Sequence, residues 1–469
     1  MARTKKPNVI IENLRIDKVA SQGKSLGKHE DKVVFVTGAV PGDLVDVQVT
    51  KKRKSYLEAK VVSIHELSDE RSEPFCIHFG VCGGCKWQNM KYEFQLKYKE
   101  QQVIDQFTRL GHLEVKDWNP IIAAPETKNY RNKLEFTFSN RKWLTIEEIQ
   151  SGTEFIDRNG LGFHIPGAFD KVVDVKECHL QGDPSNAIRL FVRSFTKEND
   201  FTYFDLREQK GLLRNLMIRN STIGDLMVVV IFFENDEEKR NLLLNALAKN
   251  FPEITSLMYV INEKKNDSMF DQDFISFAGN DHIIEQLGEL KFKIGPKSFF
   301  QTNSLQANAL YNAAIEFANI TKDDVVYDLY SGTGTITNIV AQKAKKVIGV
   351  EQIEEAVLAA RENSKFNSIE NTVFYTGDTK DVLNETFFKK HGKPDVIIVD
   401  PPRAGLHEKV VLEILKAAPE RFVYISCNPA TQARDLSLMK DYYSIEKVQA
   451  VDMFPQTHHV ENIAFLIKK

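Results

Sequence analysis

The feature that most constrains the fold is a regular alternation of short apolar runs and helix-length segments in the last third of the chain. From Gly295 onward, five such runs follow one another. Strands that alternate with helices form a parallel sheet covered on both faces, and strands buried on both sides are continuously apolar. The sequence therefore predicts a doubly wound, Rossmann-like α/β domain with strands over residues 325–329, 347–350, 373–375, 396–399 and 422–425.

The preceding residues have a different pattern. The first 65 residues contain β-rich runs and a Pro-Gly-Asp turn at 41–43, which is typical of a small antiparallel barrel. A mixed pattern follows, with a helix predicted over 92–110 and a strand over 226–233. We therefore expect three domains, namely a barrel at 1–65, a mixed α+β central domain at 66–290 and the α/β domain at 291–469.

The charge of the chain is unevenly distributed. The chain as a whole carries −3, whereas residues 1–65 hold 13 Lys or Arg against 7 Asp or Glu, so this part carries +6 and the remainder −9. A basic module on a mildly acidic body is expected where one part meets phosphate, although a solvated loop explains the basic run at 51–54 equally well.

The composition is that of an ordinary globular protein, with 42% hydrophobic and 27% charged residues. No apolar run approaches the roughly 18 residues that span a bilayer, and the first residues lack the apolar stretch of a signal peptide. We therefore expect a cytoplasmic protein that acts without a membrane. We also expect a monomer.

A glycine-containing turn follows the first predicted strand of the α/β domain. The sequence YSGTG at 330–334 leads into a helix from about Thr335, and glycines there allow the backbone to approach a ligand. A lone G-x-G is weak evidence, since many α/β turns carry one. The third glycine of a dinucleotide loop is absent, because Thr337 occupies its place.

Acidic residues end the next two strands. Glu351 is suited to accept hydrogen bonds from ribose hydroxyls, and Asp378 is well placed to meet an adenine edge. Either acid alone is more often a turn or helix cap. Together, at successive strand ends, they favour a cofactor that contains adenosine but no pyrophosphate.

The fourth and fifth strands end in residues suited to covalent chemistry. Asp400 is followed by two prolines and Arg403, and Cys427 follows the fifth strand. Both lie at carboxyl ends of parallel strands, where ligands bind in this architecture. A lone cysteine is usually a small buried hydrophobe, but its position beside the Asp400 loop favours a nucleophile. Glu461, near the C-terminus, is either a surface residue or a general base.

Five cysteines are an odd number for a disulfide framework. Cys76, Cys82 and Cys85 lie close together in the chain, and Cys178 is distant. Four thiolates suffice for a [4Fe–4S] cluster or for a structural zinc, and their spacing does not choose between the two.

Taken together, these motifs resemble the RNA uracil-5-methyltransferase family, and more closely its ribosomal-RNA branch with an N-terminal TRAM domain. The resemblance covers nearly the whole chain. Residues 331 and 335 are Ser and Thr where many members have Cys and Asn. The matching segments are QTN at 301–303, the loop at 328–334, DPPR at 400–403, SCNP at 426–429 and the box at 457–461.

The resemblance implies a role for each matching residue. Cys427 is the nucleophile, and Glu461 is the base that removes the C5 proton of uridine. S-adenosylmethionine is the methyl donor, and its contacts are Gln301, Tyr330, Glu351, Asp378 and Asp400. Cys76, Cys82, Cys85 and Cys178 correspond to the ligands of a [4Fe–4S] cluster, whose loss we expect to weaken folding or RNA recognition more than methyl chemistry.

The resemblance also implies that the substrate is RNA, with 23S ribosomal RNA favoured over transfer RNA. The chemistry requires a Cys427 thiolate, so we expect partial exposure and a favourable local field. Alternatives are a transfer-RNA methyltransferase and a non-catalytic RNA-binding assembly factor. A radical enzyme is disfavoured because it would need only three cluster ligands, and a base N-methyltransferase needs no nucleophilic cysteine.

Overall fold

The computed structural model describes residues 9–152, 157–269 and 271–469. Contacts between Cα atoms divide the chain into two compact units. The first unit comprises the chain up to Lys99 together with Phe454–His459, and the second comprises Glu100–Met453 and Val460–Lys469. Within the described ranges, no helix combines the length and apolar character needed to cross a lipid bilayer.

The first unit contains a closed barrel whose strands are hydrogen-bonded in the order β1-β2-β3-β5-β4. Alternate residues of these strands point inward, and they form an apolar core that includes Ile16, Val34 and Val47. This agrees with the barrel predicted for the N-terminal region. The strands are β1 (Ile10–Val19), β2 (Ser25–His29), β3 (Lys32–Thr37), β4 (Leu44–Lys52) and β5 (Tyr56–Glu66).

The predicted helix at 92–110 is α-helical only in part. Helix α1 spans Tyr92–Asp105, and a π-helical turn, Gln106–Leu110, continues it. Strand β6 (Val115–Ile122) comes next and joins the edge of the large sheet of the second unit, where it pairs parallel with a strand near the C-terminus.

A seven-stranded sheet forms the middle part of the second unit, in the order β13-β12-β11-β10-β7-β8-β9. Neighbouring strands of this sheet are antiparallel, except that β11 and β12 are parallel to each other. The elements are β7 (Lys133–Ser139), α2 (Ile146–Gln150), β8 (Gly160–Ile165), β9 (Ala168–Asp174), α3 (Ser185–Glu198), β10 (Leu213–Asn220), β11 (Leu226–Phe232), α4 (Glu237–Asn250), β12 (Ser256–Ile261) and β13 (Ile275–Gly279). A hairpin of β14 (Ile283–Leu287) and β15 (Leu290–Ile294) follows.

The eight-stranded sheet confirms the predicted α/β domain. Its order is β18-β17-β16-β19-β20-β22-β21-β6. Strands β16 to β20 are parallel, as expected, whereas β22 is antiparallel to both β20 and β21. The strands are β16 (Val325–Leu329), β17 (Lys346–Glu351), β18 (Thr372–Thr376), β19 (Val396–Val399), β20 (Arg421–Ser426), β21 (Tyr443–Val451) and β22 (Glu461–Lys468).

Seven helices connect these strands. They are α5 (Ser304–Ala318), α6 (Thr335–Ala341), α7 (Glu354–Phe366), α8 (Thr379–Val382), α9 (Glu385–His391), α10 (Glu408–Ala417) and α11 (Pro429–Ser437). Apolar residues of α10 and α11 pack with Tyr327, Leu329 and other strand residues in one large core cluster. Phe374 packs with two residues of α7 in a second, smaller cluster.

We predict that the barrel depends on the buried carboxylate of Asp43, which is 0% exposed. This carboxylate accepts hydrogen bonds from the backbone N–H groups of Val40 and Ser68 and pairs with the guanidinium of Arg71 at 2.8 Å. Asp43→Ala should lower the free energy of unfolding by about 3–5 kcal/mol, because it removes the charge partner of the partly buried Arg71 and leaves two backbone donors without their acceptor. Urea denaturation measures this loss.

The exposed Asp17 on β1 provides the matched control. Asp17→Ala should change the free energy of unfolding by less than about 0.5 kcal/mol. Equal effects of the two substitutions would show that Asp43 does not have this structural role.

Candidate active site

The residues predicted to carry the chemistry converge at one edge of the eight-stranded sheet. Strands β19 and β20 are parallel neighbours, so Asp400 and Cys427, which directly follow them, lie at the same carboxyl edge. Glu461 is the first residue of β22, and Asn462 beside it pairs with Ser426 at the end of β20. Antiparallel pairing thus brings Glu461 to the same edge. The carboxyl groups of Glu461 and Asp400 are close enough to the Cys427 thiol to raise its pKa.

The thiol of Cys427 is partly buried, as expected, but its local field differs from the expectation. Burial, followed by the carboxyls of Glu461 and Asp400, raises its pKa to about 11. A hydrogen bond from Arg403 and its positive charge act in the opposite direction. The expectation of a favourable local field was wrong because both candidate acids lie beside the sulfur. Near neutral pH, the thiol therefore keeps its proton.

The carboxyls beside the thiol are themselves strongly perturbed. Glu461 is 4% exposed, and burial followed by the charge of Asp400 raises its pKa well above its ordinary range. Burial also raises the pKa of Asp400 to about 7. Like charges in a poorly solvated space do not all ionise together, so this pair of carboxyls resists holding two negative charges. Once deprotonated, Glu461 is a strong base.

Arg403 is the residue whose role sequence reasoning missed, although its motif was noticed. It lowers the pKa of both Cys427 and Glu461. Its backbone carbonyl accepts hydrogen bonds from Asn428 Nδ2 at 3.0 Å and from Thr431 Oγ1 at 3.2 Å. The loop that carries Cys427 therefore holds the backbone of Arg403 beside it.

Helix α11 fixes the remainder of the Asp400 loop. The carboxylate of Asp435 accepts hydrogen bonds from the N–H of Leu406 and from the hydroxyl of Tyr424, each at 2.7 Å. Gly405 has a φ of +80°, and a Cβ at this position would lie 2.5 Å from Asp435 Oδ2. Only glycine fits this position without strain, so the loop has a defined shape.

The turn after β16 contains backbone in the left-handed region, which its glycines permit. Tyr330 has a φ of +70°, and Gly332 and Gly334 also have positive φ values. The N–H of Gly332 donates to Glu351 Oε2 at 3.0 Å, and the N–H of Ile353 donates to Glu351 Oε1 at 2.9 Å. These bonds fix the Glu351 carboxylate against the turn and leave it further lone pairs for a ligand.

Three buried polar atoms at the end of β16 and in this turn have no hydrogen-bond partner within the described part of the chain. They belong to Asp328 (Oδ1), Ser331 (Oγ) and Thr333 (Oγ1). The other oxygen of Asp328 accepts a hydrogen bond from Thr337, and burial raises the pKa of Asp328 to about 7. Buried polar groups are nearly always hydrogen-bonded. Three unpaired polar atoms so close together in the chain therefore fit the site of a polar ligand, such as an adenosine-containing cofactor.

Asp378 and Tyr330 approach each other at the end of β18. The Asp378 carboxylate caps helix α8 by accepting from the N–H of Lys380, and it pairs with Lys380 Nζ at 2.7 Å. This ion pair lowers the pKa of Asp378. Tyr330 is hydrogen-bonded to Thr379, and burial, followed by the charge of Asp378, raises the pKa of Tyr330 to about 12. The side chain of Asp378 thus has a structural role, and cofactor contact by this residue stays a prediction.

Gln301 lies just before helix α5 and contacts a tyrosine that sequence reasoning missed. Tyr311, on α5, is buried and hydrogen-bonded to the Gln301 side chain. Burial, Asp400 and Glu461 hold the pKa of Tyr311 well above its usual range. In the sequence, Tyr311 is indistinguishable from an ordinary core residue of an apolar helix.

The four remaining cysteines lie in both units of the chain. Cys76, Cys82 and Cys85 belong to the first unit, where the N–H of Gly84 lies 3.5 Å from the Cys82 sulfur. Cys178 belongs to the second unit and is buried. Among the described residues, no three His, Cys, Asp or Glu side chains are grouped so as to hold a metal ion. A four-cysteine metal site therefore stays a prediction.

Known protein families match the chain in two regions. The tRNA (Uracil-5-)-methyltransferase family matches residues 206–469, and the TRAM domain matches residues 8–62. An uncharacterized RNA methyltransferase of Porphyromonas gingivalis is 54% identical over 462 residues, which are 97% of this chain and 99% of the relative. A second, from Bacteroides thetaiotaomicron, is 52% identical over 96% of this chain and 99% of the relative.

A solved structure also resembles the whole chain. It is the tRNA (uracil-54, C5)-methyltransferase of Pyrococcus abyssi in complex with S-adenosyl-L-homocysteine, with a TM-score of 0.75 and 27% sequence identity. The match covers 97% of this chain and 100% of the other. It supports the α/β fold described above.

We predict that Arg403 promotes ionisation of Cys427. Arg403→Leu removes the hydrogen bond and the positive charge that lower the pKa of the thiol. The pKa should therefore rise further, and the thiolate fraction at any pH below it should fall. Iodoacetamide should alkylate Cys427 several-fold more slowly between about pH 7 and about pH 10, measured by peptide mass spectrometry.

Arg403→Lys serves as the control because it keeps the charge without the planar guanidinium, and it should retain part of the effect. If Arg403→Leu is alkylated as fast as the wild type, or faster, Arg403 does not stabilise the thiolate.

Proposed function

The chain belongs to the tRNA (uracil-5-)-methyltransferase family, and we propose that it methylates C5 of a uridine in RNA through a covalent bond between Cys427 and C6. The observation that carries this proposal is the proximity of a partly buried thiol and a buried carboxyl at the carboxyl edge of the sheet. A nucleophile for C6 and a base for the C5 proton of the same uracil are therefore close together.

The chemistry of uracil explains why both groups are needed. Carbon 5 is a poor nucleophile until the Cys427 thiolate adds to C6, which moves the C5=C6 electrons into an enolate. S-adenosylmethionine supplies an electrophilic methyl group, which C5 takes. Glu461 then removes the C5 proton, the C6–S bond breaks, and Cys427 leaves as thiolate.

The raised pKa of Cys427 makes formation of the thiolate a costly step. Arg403 supports it by hydrogen bonding and by charge. Protonation of Glu461 or Asp400 supports it as well, because a neutral carboxyl no longer repels the thiolate. A protonated carboxyl cluster thus opposes the thiolate less in the first half of the reaction, and Glu461 passes its proton to solvent before it acts as a base in the second half.

The proposed cofactor contacts are Gln301, Tyr330, Glu351, Asp378 and Asp400. The turn at 330–334 supports this set, since its unpaired hydroxyls and the fixed Glu351 carboxylate suit the polar groups of S-adenosylmethionine. Glu351 is suited to ribose hydroxyls because its oxygens accept hydrogen bonds at the strand end.

We propose 23S ribosomal RNA as the substrate, on the strength of the TRAM match and the resemblance to the ribosomal-RNA branch. Transfer RNA is the second candidate, because the Pyrococcus abyssi enzyme of similar structure is a transfer-RNA methyltransferase. The target base has to be unpaired or flipped out of its stack to reach Cys427. The cytoplasmic location and the monomeric state stay predictions.

The test is a methyl-transfer assay with labelled S-adenosylmethionine and unmodified ribosomal and transfer RNA. We expect the wild type to produce 5-methyluridine in ribosomal RNA and Cys427→Ala to produce none. Glu461→Gln should accumulate a methylated protein–RNA complex that survives denaturation, because the C5 proton stays in place. If Cys427→Ala methylates RNA as fast as the wild type, the covalent mechanism is wrong. If the wild type binds RNA but methylates neither substrate, the assembly-factor alternative is favoured.

We also propose that Cys76, Cys82, Cys85 and Cys178 ligate a [4Fe–4S] cluster. The support is the resemblance of these positions to the family motif, together with the N–H of Gly84 beside the Cys82 sulfur, a contact common around cluster thiolates. Because four protein ligands leave no iron open, the cluster would be structural rather than the site of radical chemistry.

Anaerobically purified protein should then contain about four iron and four sulfide per chain. Cys85→Ser should lose most of this iron, whereas Cys427→Ser, outside the set, should retain it. Stoichiometric zinc without iron, measured by elemental analysis, would contradict an iron–sulfur cluster and favour a structural zinc.

A further inference from the structure

The segment Phe454–His459 lies just before the proposed general base in the sequence but belongs to a different compact unit. It belongs to the first compact unit, whereas the residues on both sides of it belong to the second. Only Val460 separates this segment from Glu461. Glu461 is therefore joined, through Val460, to a segment that residues of the first unit hold.

Gln456 is the anchor of this segment. Its carbonyl oxygen accepts hydrogen bonds from the N–H groups of Lys86 at 2.8 Å and Trp87 at 3.1 Å, the two residues that directly follow Cys85. Gln456 has a φ of +67°, a left-handed conformation that is strained for a residue other than glycine. Such a conformation persists only when surrounding contacts impose it.

Gln95 on helix α1 supplies these contacts. Its Oε1 accepts from the N–H of Gln456 at 2.9 Å, and its Nε2 donates to Gln456 Oε1 at 3.0 Å. The same Nε2 lies 3.0 Å from the carbonyl of Trp87 and 2.9 Å from that of Met90. Gln95 is 1% exposed and Gln456 5% exposed, so water is not available to replace these bonds.

A second buried polar side chain of α1 reinforces the arrangement. Lys99 is 0% exposed and donates from Nζ to the carbonyl of Phe454 at 3.0 Å. The segment is therefore held at Phe454 and at Gln456. Proton abstraction requires the carboxyl of Glu461 within hydrogen-bond reach of the C5 proton, and small displacements of a catalytic group are costly.

We propose that Gln95 is a positioning residue for Glu461, and that it acts through Gln456 on proton removal and release of Cys427 rather than on methyl transfer. This inference rests on the proposed covalent mechanism. Cys427 and its neighbour Asn428 lie on another loop, whose hydrogen bonds run to Arg403 and within the loop itself. Loss of Gln95 therefore spares the first half of the reaction and slows the second.

The position of Lys86 and Trp87 extends the inference to the cysteine segment. A change in the backbone after Cys85 alters the two hydrogen bonds to Gln456 directly. Disturbance of the cysteines should therefore reach the elimination step as well as folding or RNA recognition.

The test separates the two halves of the reaction in Gln95→Leu, which keeps the volume of the side chain and removes its polar atoms. Single-turnover transfer of labelled methyl to RNA reports the first half. Release of tritium from RNA containing [5-³H]uridine reports the second. We expect methyl transfer within about two-fold of the wild type and tritium release about ten-fold slower, a part of what a general base contributes. Methylated covalent complex should accumulate.

Gln101→Leu is the matched control, because Gln101 is exposed on the same helix; it should leave both rates unchanged. Gln456→Gly is the second variant, since glycine accepts the positive φ and keeps the backbone groups that bond Lys86, Trp87 and Gln95, while the side chain with its Oε1 acceptor is removed. It should shift the two rates in the same direction as Gln95→Leu, by less. Circular dichroism and thermal unfolding verify that each variant is folded.

Glu461→Gln, run in parallel, separates the two proposals. If Glu461→Gln traps the complex while folded Gln95→Leu releases tritium as fast as the wild type, the positioning role is wrong and the covalent mechanism stands. Equal slowing of methyl transfer and tritium release in Gln95→Leu would also overturn the positioning role. If Glu461→Gln turns over normally, the proposed function itself is wrong.

Discussion

The chemistry depends on one constraint, the burial of several acidic groups at a single sheet edge. Asp328, Asp400 and Glu461 all have raised pKa values, and the charges of Asp400 and Glu461 act on Cys427. Such a site cannot hold every negative charge at once. Arg403 lowers the pKa values of the thiol and of Glu461. In the proposed covalent mechanism, a protonated Glu461 would repel the thiolate less while it adds to C6, and an ionised Glu461 is needed once the methyl group is in place.

The fold imposes this constraint, and much of the fold could be predicted from the sequence. Strands β16 to β20 are apolar because both their faces are buried, and such runs are visible in any sequence. The edge strand β6 is not visible in this way, since polar and exposed residues interrupt its apolar ones and its pairing with β21 spans more than 300 residues of chain. The neighbours of the antiparallel strand β22 depend on the tertiary structure and not on its local sequence.

The candidate site was predictable where chemistry coincides with strand ends. Cys427 and Asp400 follow buried strands, and Glu461 belongs to a recognisable box. The raised pKa of Cys427 and the contact of Tyr311 with Gln301 were not predictable, because both arise from burial and from contacts between distant segments. The same limitation applies to Gln95 and Gln456, whose pairing joins residues 361 positions apart.

The covalent bond between Cys427 and RNA is the central claim, and it has a direct test. RNA containing 5-fluorouridine offers no C5 proton for Glu461 to remove, so the reaction should stop after methyl transfer. Wild-type protein incubated with this RNA and S-adenosylmethionine should form a denaturation-resistant complex, and mass spectrometry should locate one methylated fluorouridine on the peptide that contains Cys427. A complex linked through another residue, or methylation of ordinary RNA without any trapped complex in the fluorinated RNA, would contradict the covalent role of Cys427.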